Sequence, residues 1–110
     1  MADWIDVAPA AEFGPGERRG VEIDGRAVVV VNDNGELFAV ADICSHDGFP
    51  LGDGMVAGGE IVCPRHGARF CLRTGRALCP PAYEPIATYA IRIENGMVQV
   101  GRAGSRPSGS

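Results

Sequence analysis

At 110 residues the chain can form one domain that buries roughly 60 to 70% of its unfolded surface, and it is too short for two. A net charge of -4 without a basic stripe argues against a nucleic-acid partner, and the ten basic residues, all arginine, are scattered, which points to a protein partner or to none. The longest purely apolar run, Ala27–Val31 (AVVVV), falls far short of the roughly 20 residues a membrane-spanning helix needs, and the start MADWIDV lacks a basic-then-apolar signal region, so a cytoplasmic protein without a membrane partner is expected.

Sixteen glycines and eight prolines punctuate short β-branched runs, and no apolar period of 3.6 persists for three turns, so the fold class is all-β with at most a turn or two of helix. In chain order, strands are expected at Trp4–Val7, Arg19–Ile23, Ala27–Asn32, Glu36–Ala41, Glu60–Cys63, Arg69–Leu72, Ala87–Ile93 and Met97–Val100. Asp24-Gly25, Asn34-Gly35 and Asn95-Gly96 lie between such runs and supply the positive backbone angles of a tight hairpin turn, with Thr74-Gly75 a weaker version. In Ala87–Ile93, Tyr89, Ile91 and Ile93 fall on one face and Arg92 on the other. Residues 42–58, 64–68 and 79–86 break the strand pattern, and three irregular stretches on a β scaffold are where a site is expected. The domain is expected to span 1–102, followed by a disordered tail over 103–110 that lacks large apolar groups.

The four cysteines are Cys44, Cys63, Cys71 and Cys79. A reducing cytosol disfavours two disulfides, leaving metal binding or buried thiols. The stretch CPRHGARF (residues 63–70) alone reads equally as a metal half-site, a nucleophile with its base, or a turn. Yet the chain has only two histidines, and each lies within three residues of a cysteine: Cys44-Ser45-His46 in the first irregular stretch, Cys63-Pro64-Arg65-His66 in the second. Coordinated use follows. Mononuclear zinc takes the same ligands, but zinc fingers usually group like with like, and here the types interleave. A cysteine nucleophile with a histidine base leaves the other pair without a purpose.

The order Cys-His-Cys-His, with one, sixteen and two residues between successive members, resembles the ligand signature of Rieske-type 2Fe-2S ferredoxins. The resemblance runs from about Asp3 to Val100, through Asn34–Ala39, the Gly67–Leu78 segment (GARF-x-x-x-TG-x-A-L) and Pro80-Pro81. It implies a Rieske-type fold, an antiparallel β-sandwich or barrel bearing a small cluster-binding subdomain of two ligand loops and a proline loop. It also implies one 2Fe-2S cluster, with Cys44 and Cys63 on one iron and His46 and His66 on the other. Two neutral imidazoles in place of two thiolates bring the oxidised cluster to formal neutrality, which makes reduction easier, and histidines at an exposed tip can couple it to protonation. Pro80 and Pro81 would stiffen the loop that shields the cluster. Gly48, Gly52 and Gly67 would permit turns that aim amide N–H groups at its sulfurs.

Departures from the family pattern refine the expectation. Rieske proteins of respiratory and photosynthetic complexes carry an extra, disulfide-bonded cysteine in each ligand loop, where this chain has Phe49 and Arg65. They also place a serine and a tyrosine whose hydroxyls bond cluster sulfurs, where this chain has Ala68 and Phe70. Fewer donors disfavour the reduced form, so a potential toward the low end of the roughly -150 to +300 mV Rieske range is expected. The resemblance implies a monomeric electron carrier, not an enzyme, that passes electrons from an NAD(P)H-dependent flavoprotein reductase to a terminal oxygenase of aromatic-ring dioxygenase type. Asp47, Arg65 and Arg69 would tune docking. The alternative is a Rieske small subunit of an assimilatory nitrite reductase, or a Rieske protein associated with iron–sulfur assembly. Cys71 and Cys79 match no family ligand and read as buried or half-buried thiols, Trp4 and Phe38 as core, and Arg18-Arg19 as a solvated pair.

Overall fold

The structure is a computed structural model that describes residues 4–43, 50–52, 54–64, 67–80 and 84–105. Among these described residues nine strands appear: β1 (Trp4–Pro9), β2 (Arg18–Ile23), β3 (Arg26–Asp33), β4 (Glu36–Ala41), β5 (Val56–Ala57), β6 (Glu60–Val62), β7 (Arg69–Cys71), β8 (Thr88–Glu94) and β9 (Met97–Ser105), with one 3-10 turn at Ala10–Glu12. All eight expected strands are present within a few residues. At Asp24-Gly25, Asn34-Gly35 and Asn95-Gly96 both central residues have positive φ, from 51° to 99°. That is the turn geometry whose twist matches the strands it joins. A fourth such turn, Gly58-Gly59, with φ of 63° and 81°, joins β5 to β6. It lies at the edge of a stretch expected to be irregular, because a two-residue strand is too short to display alternation.

The strands form an antiparallel six-stranded sheet in the order β1-β9-β8-β4-β3-β2 and a small sheet β5-β6-β7. Ile5 and Val7 of one edge strand and Val21 and Ile23 of the other pack in the same core, with Val28, Val30, Ala39, Tyr89, Val98 and Val100. Both edges of the large sheet therefore curl around one interior, which makes it nearly a barrel. A second core lies on its outer side, where Val29, Val31, Phe38 and Val40 meet Leu51, Ile61, Cys63, Ala68, Phe70, Leu72 and Ile86. Alternate residues of β3 thus serve opposite cores. This explains AVVVV: a strand buried on both faces needs β-branched side chains at successive positions, not at every second one.

Two expectations are corrected in part. The inward face of β8 holds for Tyr89 and Ile91, but a register shift falls between them, and Ile93, one pair from the Asn95-Gly96 turn, is 55% exposed. β9 continues to Ser105, pairing Thr88 with Ser105 and Tyr89 with Gly104, so residues 103–105 are strand and not tail. The backbone ladder orders them where side-chain composition alone suggested disorder. Residues 106–110 lie outside the described residues.

Candidate metal centre

The two expected ligand pairs follow the ends of β4 and β6 in the chain. Cys63 directly follows β6, is 1% exposed, forms no disulfide and belongs to the outer core. Its amide donates to the Ala68 carbonyl at 2.7 Å and its carbonyl accepts from the Gly67 amide at 3.0 Å, so Cys63 is held against Gly67 and Ala68, the residues that follow His66. Gly67 adopts φ of 77°, where a side chain would be strained. Cys44, His46 and His66 lie outside the described residues, and among the described residues no group of three metal-ligating side chains occurs.

The segment carrying Cys44 and His46 is fixed at both flanks. As β4 ends, the Ala41 amide donates to the Ala87 carbonyl and the Asp42 amide to the Ala27 carbonyl, both at 2.9 Å. The Asp42 carboxylate then accepts from the Leu51 and Gly52 amides, each at 2.7 Å. Arg18 of β2 donates to the Gly52 carbonyl at 2.7 Å and to the Gly54 carbonyl. Arg18 is exposed, as the solvated reading has it, but its charged head also bonds backbone carbonyls 34 and 36 residues away, a pairing that no local pattern announces. Asp42 was missed too, although an aspartate just before the first ligand pair, with a glycine ten positions on, was a signal of sorts. The Gly52 and Gly67 amides, expected to point at cluster sulfurs, are taken by Asp42 and by the Cys63 carbonyl. Gly48 lies outside the described residues.

Ala68 and Phe70 are both fully buried in the outer core with Cys63. The flank of the proline loop is tied down twice. The Cys79 thiol donates to the Gly67 carbonyl at 3.6 Å, and the Ile86 amide donates to the Gly75 carbonyl at 2.8 Å. Pro80 is exposed, and Pro81 lies outside the described residues.

Cys71 is half-buried. Burial pushes its thiol up, but hydrogen bonds from the Thr74 side chain and the Thr74 and Arg73 backbone, with the Arg73 charge, outweigh this and hold it below the ordinary thiol range. Arg69, expected at the docking tip, pairs instead with Glu60 at 3.4 Å, both ends partly exposed. Such a pair is worth little, so the guanidinium stays available. Asp47, Phe49 and Arg65 lie outside the described residues. Phe38 is core as expected, whereas Trp4 is half-buried with the Arg92 guanidinium 4.1 Å over its ring.

A buried thiol among Leu51, Ile61 and Phe70 is poorly placed to attack a substrate from solution. It is well placed to hold iron away from water. The two thiols and two imidazoles of the Cys44-Ser45-His46 and Cys63-Pro64-Arg65-His66 stretches match in number a cluster needing two ligands per iron.

Comparison with known proteins agrees. The family described as "Rieske [2Fe-2S] domain" matches residues 3–90. The ferredoxin component of the naphthalene 1,2-dioxygenase/salicylate 5-hydroxylase systems of Ralstonia sp is 37% identical over 98 residues, covering 89% of this chain and 94% of that protein. The ferredoxin subunit of the 3-phenylpropionate/cinnamic acid dioxygenase of Escherichia coli (strain K12) is 36% identical over 105 residues, covering 94% and 97%. Among solved structures, a chain from the complex of reduced oxygenase and oxidized ferredoxin in carbazole 1,9a-dioxygenase superposes with a TM-score of 0.88 at 27% identity, covering 96% of this chain and 98% of that one. With the β-barrel, the outer core around a buried cysteine and a matching family model over most of its length, the chain belongs to the Rieske [2Fe-2S] domain family and takes a Rieske-type 2Fe-2S cluster.

Proposed function

We propose that this chain is the ferredoxin component of a multicomponent aromatic-ring dioxygenase system, a cytoplasmic monomer that carries electrons from an NAD(P)H-dependent flavoprotein reductase to the terminal oxygenase. The observation that carries the reading is the end-to-end match to ferredoxin components of such systems, 94% and 97% of whose lengths are covered. Those relatives are electron-transfer components and not the catalytic ones, and a ferredoxin of this fold is found in complex with its oxygenase. The nitrite-reductase and iron–sulfur-assembly readings are not favoured, since these relatives serve dioxygenases. A cytoplasmic location goes with a reductase that draws on the nicotinamide pool.

In this reading Cys44, His46, Cys63 and His66 hold the cluster, which supplies a site that takes up and gives up one electron. The protein's contribution is burial and presentation. Leu51, Ala68, Phe70 and Ile86 exclude water from the Cys63 side. Exposed Ile43, Pro64, Leu78 and Pro80 adjoin Cys44, Cys63 and Cys79 in sequence and offer apolar contact for a docked partner. Such rims suit brief encounters, with charge adding steering. Arg65 would be one such charge.

Reconstitution tests the proposal. With NADH and a flavoprotein reductase, an aromatic-ring oxygenase should oxidise its substrate only when this chain is added. Failure with oxygenases of the naphthalene, phenylpropionate and carbazole types, together with nitrite-dependent turnover in a nitrite reductase lacking its small subunit, would reverse the assignment. Arg65→Glu should slow oxygenase turnover and leave the cluster's spectrum intact; unchanged turnover would remove Arg65 from the docking face.

A further inference from the structure

Four hydrogen bonds and one close packing fix the chain on either side of the first expected ligand pair. Asp42 precedes Cys44 by two positions, and its Oδ1 accepts from the amides of Leu51 and Gly52 at 2.7 Å. The Arg18 guanidinium donates to the carbonyls of Gly52 and Gly54. Gly54 is buried against β6: a Cβ built there would come within 1.9 Å of the Val62 carbonyl oxygen, and Val62 is the residue before Cys63. The chain leaves β4 at Asp42 and returns over Leu51–Gly54. That return is fixed by Asp42 itself, by an edge strand of the barrel, and by the strand that leads to Cys63.

The two side chains divide the work by chemistry. A carboxylate only accepts, and here it meets two N–H groups; a guanidinium only donates, and here it meets two carbonyls. Gly52 is gripped from both ends, its N–H by Asp42 and its C=O by Arg18. Leu51, the neighbour on one side, is fully buried in the core that contains Cys63. The grip is thus continuous with the packing around one expected ligand and separated by one residue from another.

We propose that Asp42 and Arg18 are positioning residues for the cluster: together they hold Gly52 and so tie the two flanks of the stretch that contains Cys44 and His46 to each other and to the barrel edge. The inference rests on the assignment of Cys44, His46, Cys63 and His66 as ligands. Partners that orient ligands tune a metal site as strongly as the ligands' own identity allows. Loosening the tie spreads the ligand geometries over a distribution. The reduced protein should then give broadened EPR features and lose iron faster, whereas a contact that only stabilised the fold would lower the melting temperature without touching the spectrum.

The test compares purified holoprotein with Asp42→Ala, Asp42→Asn, Arg18→Met and Arg18→Lys. Iron and acid-labile sulfide per chain, EPR line shape after dithionite reduction, rate of iron release to a chelator and far-UV circular dichroism are measured on each. Asp42→Ala and Arg18→Met should broaden the EPR signal and speed iron release about 10-fold or more, with the β-sheet dichroism retained. Asp42→Asn keeps an acceptor oxygen and should restore the wild-type line shape. Both bonds come from the one Nη1 atom, so Arg18→Lys keeps a cationic donor on a shorter side chain and should restore it only in part. Should Asp42→Ala not fold, Asp42→Asn and the two Arg18 variants still decide. Wild-type line shape and release rate in Arg18→Met, or an Asp42→Ala defect that Asp42→Asn leaves uncorrected, would overturn the proposal. A wild-type chain with no Rieske spectrum overturns the ligand assignment, and the grip on Gly52 falls with it.

Discussion

At the scale of single residues, Phe70 shows how a buried side chain can set a redox property by what it lacks. It is fully buried beside Ala68 and Cys63 and offers no hydrogen-bond donor, at the position where the resemblance puts the tyrosine of respiratory and photosynthetic Rieske proteins. Phe70→Tyr adds one hydroxyl to a closed core. If a cluster sulfur is within reach, the new hydrogen bond should be worth about 0.5 to 1.5 kcal/mol and, being stronger to the more negative reduced cluster, should raise the midpoint potential by at most about 20 to 65 mV. If no partner is within reach, the buried hydroxyl costs about 1 to 3 kcal/mol of stability and the potential stays put. Voltammetry together with a melting curve separates the two outcomes. A wild-type midpoint near the top of the Rieske range would itself contradict the low-potential expectation. The Cys-His-Cys-His pattern and the Ala68 and Phe70 departures could be read from the sequence because they rest on residue type alone. The pairing of Arg18 could not, since nothing near it in sequence marks the Gly52 and Gly54 carbonyls as its partners.

At the scale of elements, the three hairpin turns with Asp-Gly or Asn-Gly were legible because they demand positive φ from both central residues, and few residue pairs supply it. The strand AVVVV was legible as β but not as a wall between two cores. Periodicity reports which residues are buried, not against what. Close backbone crossings were illegible for a related reason: a glycine that permits one looks like a glycine in any turn. Gly75 is the clear case. It has φ of 80°, and a Cβ there would lie 2.0 Å from the Ile86 carbonyl oxygen, while its own carbonyl accepts from the Ile86 amide. Gly75→Ala must therefore push the chain that follows the proline loop away from β7 as well as strain its own backbone. The loss should reach about 2 kcal/mol or more, with faster iron release, because Cys79 bonds the Gly67 carbonyl from this same segment. Gly20→Ala, where a Cβ would meet nothing within 4 Å, is the matched control and should change neither. An unchanged melting temperature for Gly75→Ala would contradict the crossing.

At the scale of the molecule, the two cores differ in what supports them. The barrel core is enclosed by six strands paired in antiparallel ladders of five or six residue pairs, except between β4 and β8, where two pairs form. The outer core is covered by three strands of two or three residues each, and by segments that run to and from the expected ligands. Strands that short carry few backbone hydrogen bonds, so much of the outer layer's order should come from the iron that links its loops, since metal binding to a site absent from the unfolded chain is itself folding free energy. β3 and β4 belong to both cores and should stay with the barrel. Cluster removal by a chelator under reducing conditions should then raise amide exchange in β5, β6 and β7 by orders of magnitude, while the interior amides of β3, β8 and β9 remain protected. Exchange that rises evenly across all nine strands would mean one cooperative unit and would defeat this division. Exchange unchanged everywhere would mean the outer layer holds without its cluster, in which case the apoprotein is preformed and the metal contributes redox chemistry alone.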